Sequence, residues 1–128
     1  MNDIETRDDV RTLVHAFYET TRRDPLLGGL FERRLAGRWE EHMERMTQFW
    51  MTVLFAVPLY AGRPLERHQG LPLGKEHFAQ WLELWDAQIT ARYAGERADA
   101  ARRAARRMAT RMLHARGDLS AVDRRSAR

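Results

Sequence analysis

Apolar residues recur along this chain at steps of three and four, and no stretch of any length alternates apolar with polar as a half-buried strand would. From Thr6 onward, Val10, Leu13, Val14, Phe17 and Thr21 mark one face of an amphipathic helix, with Tyr18 just beside the stripe. Thr6 and Asp9 have the spacing of a capping box, and Asp8 and Asp9 complement the positive end of the helix dipole. Asp24-Pro25 stops that helix. Leu26-Leu27-Gly28-Gly29-Leu30-Phe31 then predicts a tight apolar corner, with Phe31 pointing inward. The strongest period lies in a helix over about 38–55. Trp39, His42, Met43, Met46, Phe49, Trp50, Val53 and Leu54 form one side, and Glu40, Glu41, Glu44, Arg45 and Gln48 the other.

Val57-Pro58 closes that helix. Between Pro64 and Pro72 there is room for about one helical turn carrying His68, and each proline restricts the residue before it. A third long helix is predicted from Lys75 to Tyr93, with Phe78, Trp81, Leu82, Trp85 and Ile89 on one face. Gly95 separates it from a fourth, Glu96 to Arg116, whose buried side is Ala101, Ala104, Ala105, Met108, Met112 and Leu113. Gly117 is its C-cap candidate. The expected fold class is therefore all-α, helix packed on helix, in one domain over residues 1–116, with a polar, basic tail at 117–128.

Composition narrows the function classes. Cysteine is absent, which excludes a disulfide framework, a thiolate metal site and a catalytic thiol. No apolar run approaches a membrane span, and the acidic start MNDIETRDDV does not read as a secretory signal, so a cytoplasmic protein away from membranes is expected. Charge is uneven: residues 101–128 carry nine arginines against Asp118 and Asp123, in a chain of net charge +4. No aromatics interleave those arginines as a base-stacking surface requires, so the basic end reads as a solvated face rather than a nucleic-acid site.

The candidate chemistry lies in histidines with apolar neighbours. His68, stiffly held between two prolines and near Leu65 and Leu71, suits a metal ligand, because a neutral imidazole presents one nitrogen and must be aimed. Taken alone, such a histidine is more often turn or surface chemistry. His42 lies inside the apolar stripe with Met46 and Phe49, either as a satisfied core residue or as part of a cavity wall. Two histidines on different helical pieces, a tyrosine, methionines and several aromatics suit a planar apolar cofactor, and haem suits them best. No spacing for zinc or a di-iron centre appears, nor a glycine-rich phosphate loop, and His15, His77 and His114 receive no site role.

These pieces together resemble the truncated haemoglobins, specifically their third group. The resemblance is carried by Phe17-Tyr18, by Asp24-Pro25-Leu26-Leu27-Gly28 with Phe31, and by Trp39-x-x-His42 and Phe49-Trp50. It continues through Tyr60-x-Gly62-x-Pro64-x-x-x-His68-x-x-Leu71-Pro72-Leu73 and His77-Phe78-x-x-Trp81-Leu82-x-Leu84. It implies a 2-over-2 globin fold enclosing haem b, with His68 as proximal iron ligand. Tyr18 and Trp81 become hydrogen-bond donors to a bound ligand, and His42 takes the distal histidine position, touching the ligand or gating access to it. Phe31, Met46 and Phe49 would pack on the porphyrin, and Arg67 would pair with a propionate. Two departures stand out: Gly29 where the family often has proline, and Leu54-Phe55-Ala56 in place of a leucine-leucine-glycine turn.

The implied function is binding of oxygen and other diatomic ligands such as carbon monoxide and nitric oxide, with oxygen held tightly by the distal donors, in a monomer. The alternative is a redox enzyme, a nitric oxide dioxygenase or a peroxidase-like protein. It would need an external reductase, since the chain carries no reductase domain of its own.

Overall fold

The protein was analysed as a computed structural model that describes residues 1–60 and 73–126, with side chains described through residue 114. His68 and Arg67 lie outside the described residues, as does the short helical turn expected between the prolines. Five helices are present among the described residues: α1 (Arg7–Arg23), α2 (Gly28–Leu35), α3 (Trp39–Phe55), α4 (Lys75–Arg92) and α5 (Glu96–Ser126). None is long and apolar enough to cross a membrane. α1 packs on α3, α4 packs on α5, and the two pairs are joined through α1–α4 and α3–α5 contacts. This is the 2-over-2 arrangement that the resemblance implies.

The local signals explain most boundaries. Thr6 and Asp9 form the predicted capping box, the Thr6 hydroxyl accepting from the Asp9 N–H while the Asp9 carboxylate accepts from the Thr6 N–H. Val10, Leu13, Val14 and Phe17 are all but fully buried, so the α1 stripe is the centre of the core. Trp85 of α4 is equally enclosed and stacks on Trp50 of α3, ring centroids 4.6 Å apart. Burying each such ring contributes about 1.5–3 kcal/mol. Ala98, Ala101, Ala104 and Ala105 line the inner side of α5. Their small side chains let that helix come close enough for the Trp85 indole to donate to the Ala101 carbonyl at 3.2 Å.

Three features depart from the sequence reading. The corner before Phe31 is longer than a turn: residues 28–35 form α2, whose first turn includes two glycines that argue against a helix on propensity. Asp24 sets it up by accepting the Leu26 and Leu27 N–H groups at 2.9 and 2.8 Å. Second, α5 does not stop at Gly117 but continues to Ser126, so Gly117 is an interior glycine rather than a C-cap. A lone glycine costs a helix only about 1 kcal/mol and does not end it. Third, the N-terminal arm is structural: Ile4 is completely buried, and the Asp3 carboxylate accepts the Arg97 and Ala98 N–H groups, both at 2.9 Å, at the start of α5. Gly95, at φ +143°, takes a conformation that L side chains rarely adopt and leaves room for Asp3.

Candidate functional site

The apolar face of α3 is only half covered by protein. Trp39 and Trp50 are buried, but His42, Met46 and Phe49 between them are not. Those three side chains form part of the wall of a cavity of about 470 Å3. Phe17 and Tyr18 come to it from α1, Phe31 and Leu35 from α2, Phe78, Trp81 and Trp85 from α4, and Met108 and Met112 from α5. Of the residues singled out in the sequence, Tyr18, Phe31, His42, Met46, Phe49 and Trp81 all line this one space. The helical period that marked α3 thus records a cavity wall as well as a core face.

Tyr18 is the most constrained polar group there. Its ring is ringed by edge-on contacts with Phe17, Phe31, Trp39 and His42, at centroid distances of 4.9, 6.1, 6.1 and 5.0 Å. Its hydroxyl lies 3.0 Å from His42 Nε2. Burial pushes the phenol well above its usual 10.0, so it stays protonated and able to donate at any pH near neutral. Trp81 faces the same cavity and meets Phe17 edge-on at 6.1 Å. Among the described residues its indole N–H makes no hydrogen bond, in contrast to Trp39, which donates to Glu32 at 3.0 Å, and Trp85, which donates to Ala101.

Other lining residues were not singled out by sequence. Arg34, Arg38 and Arg45 flank the cavity with Glu41, which pairs with Arg45 at 2.6 Å. They put cationic groups along a slot walled mainly by apolar side chains. Spread over two helices, they make no recognisable charge run in the sequence. Tyr60 is held by its backbone N–H donating to Thr52 Oγ1 at 3.1 Å and by an edge-on contact with Phe49 at 5.2 Å. Its hydroxyl is buried without a hydrogen-bond partner among the described residues. An unpaired buried hydroxyl costs about 1–3 kcal/mol, so a cavity occupant with an acceptor at that position is favoured. His77, given no role from sequence, also lines the cavity, and its Nδ1 accepts the Gly74 N–H at 2.9 Å. That bond leaves the ring proton of a neutral His77 on Nε2. The signal for it was available: His77, Phe78, Trp81 and Trp85 follow one another on one face of α4.

The slot has walls of aromatic and thioether side chains, cations and an unsatisfied hydroxyl on its lining, and donors grouped at Tyr18, His42 and Trp81. That chemistry fits a flat apolar guest with an anionic edge, and haem, with its two carboxylates, is such a guest.

Comparison with known proteins agrees with this geometry. The bacterial-like globin family matches residues 2–114. The group 3 truncated haemoglobin ctb of Campylobacter jejuni is 31% identical over 94 residues, spanning 70% of this chain and 74% of that protein. The crystal structure of a group III truncated haemoglobin from Campylobacter jejuni superposes with a TM-score of 0.81 at 27% identity, covering 89% of this chain and 94% of the other. The chain belongs to the bacterial-like globins and, within them, to the group III truncated haemoglobins, a family of haem-binding proteins that take small gaseous ligands such as oxygen.

Proposed function

We infer that this protein holds haem b in the 470 Å3 cavity with His68 as the proximal iron ligand, and that it retains oxygen tightly rather than ferrying it. The observation that carries the reading is the buried, protonated Tyr18 hydroxyl, 3.0 Å from His42 Nε2 and on the same cavity as the Trp81 indole N–H, which has no partner among the described residues. When bound, haem supplies an iron that takes one small ligand on its open side. Tyr18 and Trp81, both on the cavity wall, would donate hydrogen bonds to the partly negative end of such a ligand. Each is worth at most about 1.5–3 kcal/mol, because the acceptor carries charge. A difference of about 1.4 kcal/mol is tenfold in a rate or affinity, so one such bond slows oxygen release by roughly ten- to a hundredfold.

The remaining lining residues have supporting roles in this reading. Phe31, Met46 and Phe49 exclude water and pack on the porphyrin faces. Arg34, Arg38 and Arg45 are further candidates, beside Arg67, to face the carboxylates, and Tyr60 offers its hydroxyl to the same edge. His42, hydrogen-bonded to Tyr18, orients the phenol and controls access.

The test is a hemin titration followed by absorption, oxidised and reduced. The purified chain is expected to give a Soret band at one haem per chain, and His68→Ala to lose or loosen it while the helical content of the chain persists. Equal hemin retention by His68→Ala would remove the proximal assignment. A chain that stays colourless with hemin present would remove the whole reading.

A further inference from the structure

A second cavity, of about 330 Å3, lies between α3 and α5. Its apolar lining is Phe49 and Val53 from α3 and Ala104, Met108 and Met112 from α5. The only polar side chains described on it are Arg107 and Arg111. Those two residues stand four apart on α5 and so on one face, a turn apart. Both are exposed, and neither forms an ion pair or hydrogen bond among the described residues. Their neighbours differ. Arg102 is paired with Asp99 at 2.9 Å and Arg106 with Asp86 at 3.0 Å. Arg103 is also without an ion pair among the described residues, but Arg107 and Arg111 are the ones that stand on the cavity, and no acidic side chain among the described residues lines it.

We propose that this cavity is a binding site for a single-chain amphiphile with a carboxylate head, a fatty acid, whose tail enters between α3 and α5 while Arg107 and Arg111 hold the head. The volume is that of a small-molecule site. Guanidinium forks match carboxylates in geometry as well as charge. The apolar floor takes the hydrocarbon tail and offers no acceptor to a polar one. Phe49, Met108 and Met112 also line the larger cavity, so an occupant here presses on side chains that border the haem slot. The proposal goes beyond the haem reading and concerns a different space.

The experiment is calorimetric titration of the hemin-loaded protein with dodecanoate below its micelle concentration, compared with dodecan-1-ol and acetate. Dodecanoate is expected to bind saturably, one per chain, with dodecan-1-ol about tenfold weaker or more for want of the charged head, and acetate not at all. Replacing both arginines (Arg107→Gln with Arg111→Gln) is expected to weaken dodecanoate by about tenfold or more. Val53→Trp, at a position 40% exposed and so tolerant of size, fills the cavity and removes binding. Absence of saturable heat overturns the proposal, as does equal affinity in the arginine variant, or hemin released in proportion to dodecanoate bound. Refusal of hemin would sink only the haem reading, because the same titration then runs on the purified chain.

Discussion

The Tyr18 hydroxyl and His42 Nε2 meet at 3.0 Å across the interface of α1 and α3, deep enough that the phenol is 7% exposed. The contact joins two residues 24 apart in sequence, both on the wall of the main cavity. Two proton arrangements satisfy it. With the ring proton on Nε2, His42 donates to the phenol oxygen and leaves the phenol proton to point elsewhere. With the proton on Nδ1, Tyr18 donates to His42 and must break that bond to serve a ligand. Either way the two side chains share one proton inventory, and altering one changes what the other can donate.

On the proposed reading, Tyr18→Phe speeds oxygen dissociation by roughly ten- to a hundredfold, with a smaller effect on carbon monoxide, which carries less charge for the hydroxyl to stabilise. Stopped-flow displacement measures both. Equal changes for the two gases would mean that the hydroxyl does not reach the ligand. Because Tyr18 and His42 are in contact, the double variant Tyr18→Phe with His42→Leu should depart from additivity by about 0.5–3 kcal/mol. Additive effects would separate their roles.

The same burial has a consequence in alkali. The folded-state phenol of Tyr18 titrates above its usual 10.0, so the folded protein keeps a proton that the unfolded chain gives up. Its stabilising contribution is complete below about pH 10 and is lost as pH rises through the folded value. Wild-type stability in urea should therefore fall above pH 10 more steeply than that of Tyr18→Phe. Tyr93 is also raised, by burial first and then by the Asp9 charge, and this background is common to both proteins. Parallel curves would place the strain outside Tyr18.

Ala56 ends α3 at φ 57°, ψ 30°, a left-handed conformation in which a Cβ crowds the following carbonyl. The resemblance read from the sequence implies the glycine of a leucine-leucine-glycine turn at this position, so that departure coincides with a strained residue. Glycine accepts that conformation without penalty. Ala56→Gly is expected to stabilise the fold by about 0.5–1 kcal/mol, read as a higher urea midpoint at unchanged slope, and Ala56→Val to destabilise it. A lower midpoint for Ala56→Gly would show that Ala56 earns its place by contacts rather than tolerating its backbone.

What the sequence disclosed, and what it withheld, follows from how far each signal reaches. The α1 cap and stripe were legible because Thr6, Asp9 and the apolar positions act within a few residues of one another. That Tyr18, Phe31, His42 and Trp81 share one cavity was legible because they carry unusual chemistry at the spacing of the resemblance. α2 was not, because Gly28-Gly29 argues locally for a turn, whereas the helix is held by the Asp24 carboxylate and by Trp39 donating to Glu32. The arginines on the slot and the Tyr60 hydroxyl escaped notice for a related reason. Arg34, Arg38 and Arg45 converge only once α2 and α3 are folded together, and nothing in the sequence around Tyr60 foretells a hydroxyl without a partner.

The N-terminal arm was also invisible, since the partners of Asp3 lie over ninety residues away. Burial opposes ionisation of Asp3, but the Arg97, Ala98 and Ile4 N–H groups and the Arg97 charge outweigh it, holding the carboxyl below the ordinary 3.8. It serves as a cap supplied from another segment, so Asp3→Ala should cost about 0.5–2 kcal/mol. The contribution is present above pH 3.8 and lost as pH falls through the lower folded value. Thermal melts of wild type and variant should differ at pH 7 and draw together as pH falls below 3.8 toward the lowered folded value. A constant gap through acid would assign the effect to packing of the arm around Ile4.

Gly28 and Gly29 are adjacent, yet they should respond in opposite directions to the same change. A Cβ on Gly28 would lie 2.5 Å from the Arg22 carbonyl oxygen, a backbone atom near the end of α1 that cannot swing away. Gly28→Ala therefore forces α1 and α2 apart and should destabilise by about 1–3 kcal/mol. Because α2 carries Phe31 and Leu35 to the main cavity, that variant should also lose hemin faster. A Cβ on Gly29 meets nothing within 4 Å, and the residue is exposed in the first turn of α2. Gly29→Ala should stabilise by about 0.5–1 kcal/mol through helix propensity alone, leaving hemin loss unchanged or slower. Urea unfolding with hemin-transfer rates on the same samples measures both. Two variants that behave alike would mean that the corner yields as a unit, and that the close approach of Gly28 to α1 does not fix where α2 sits.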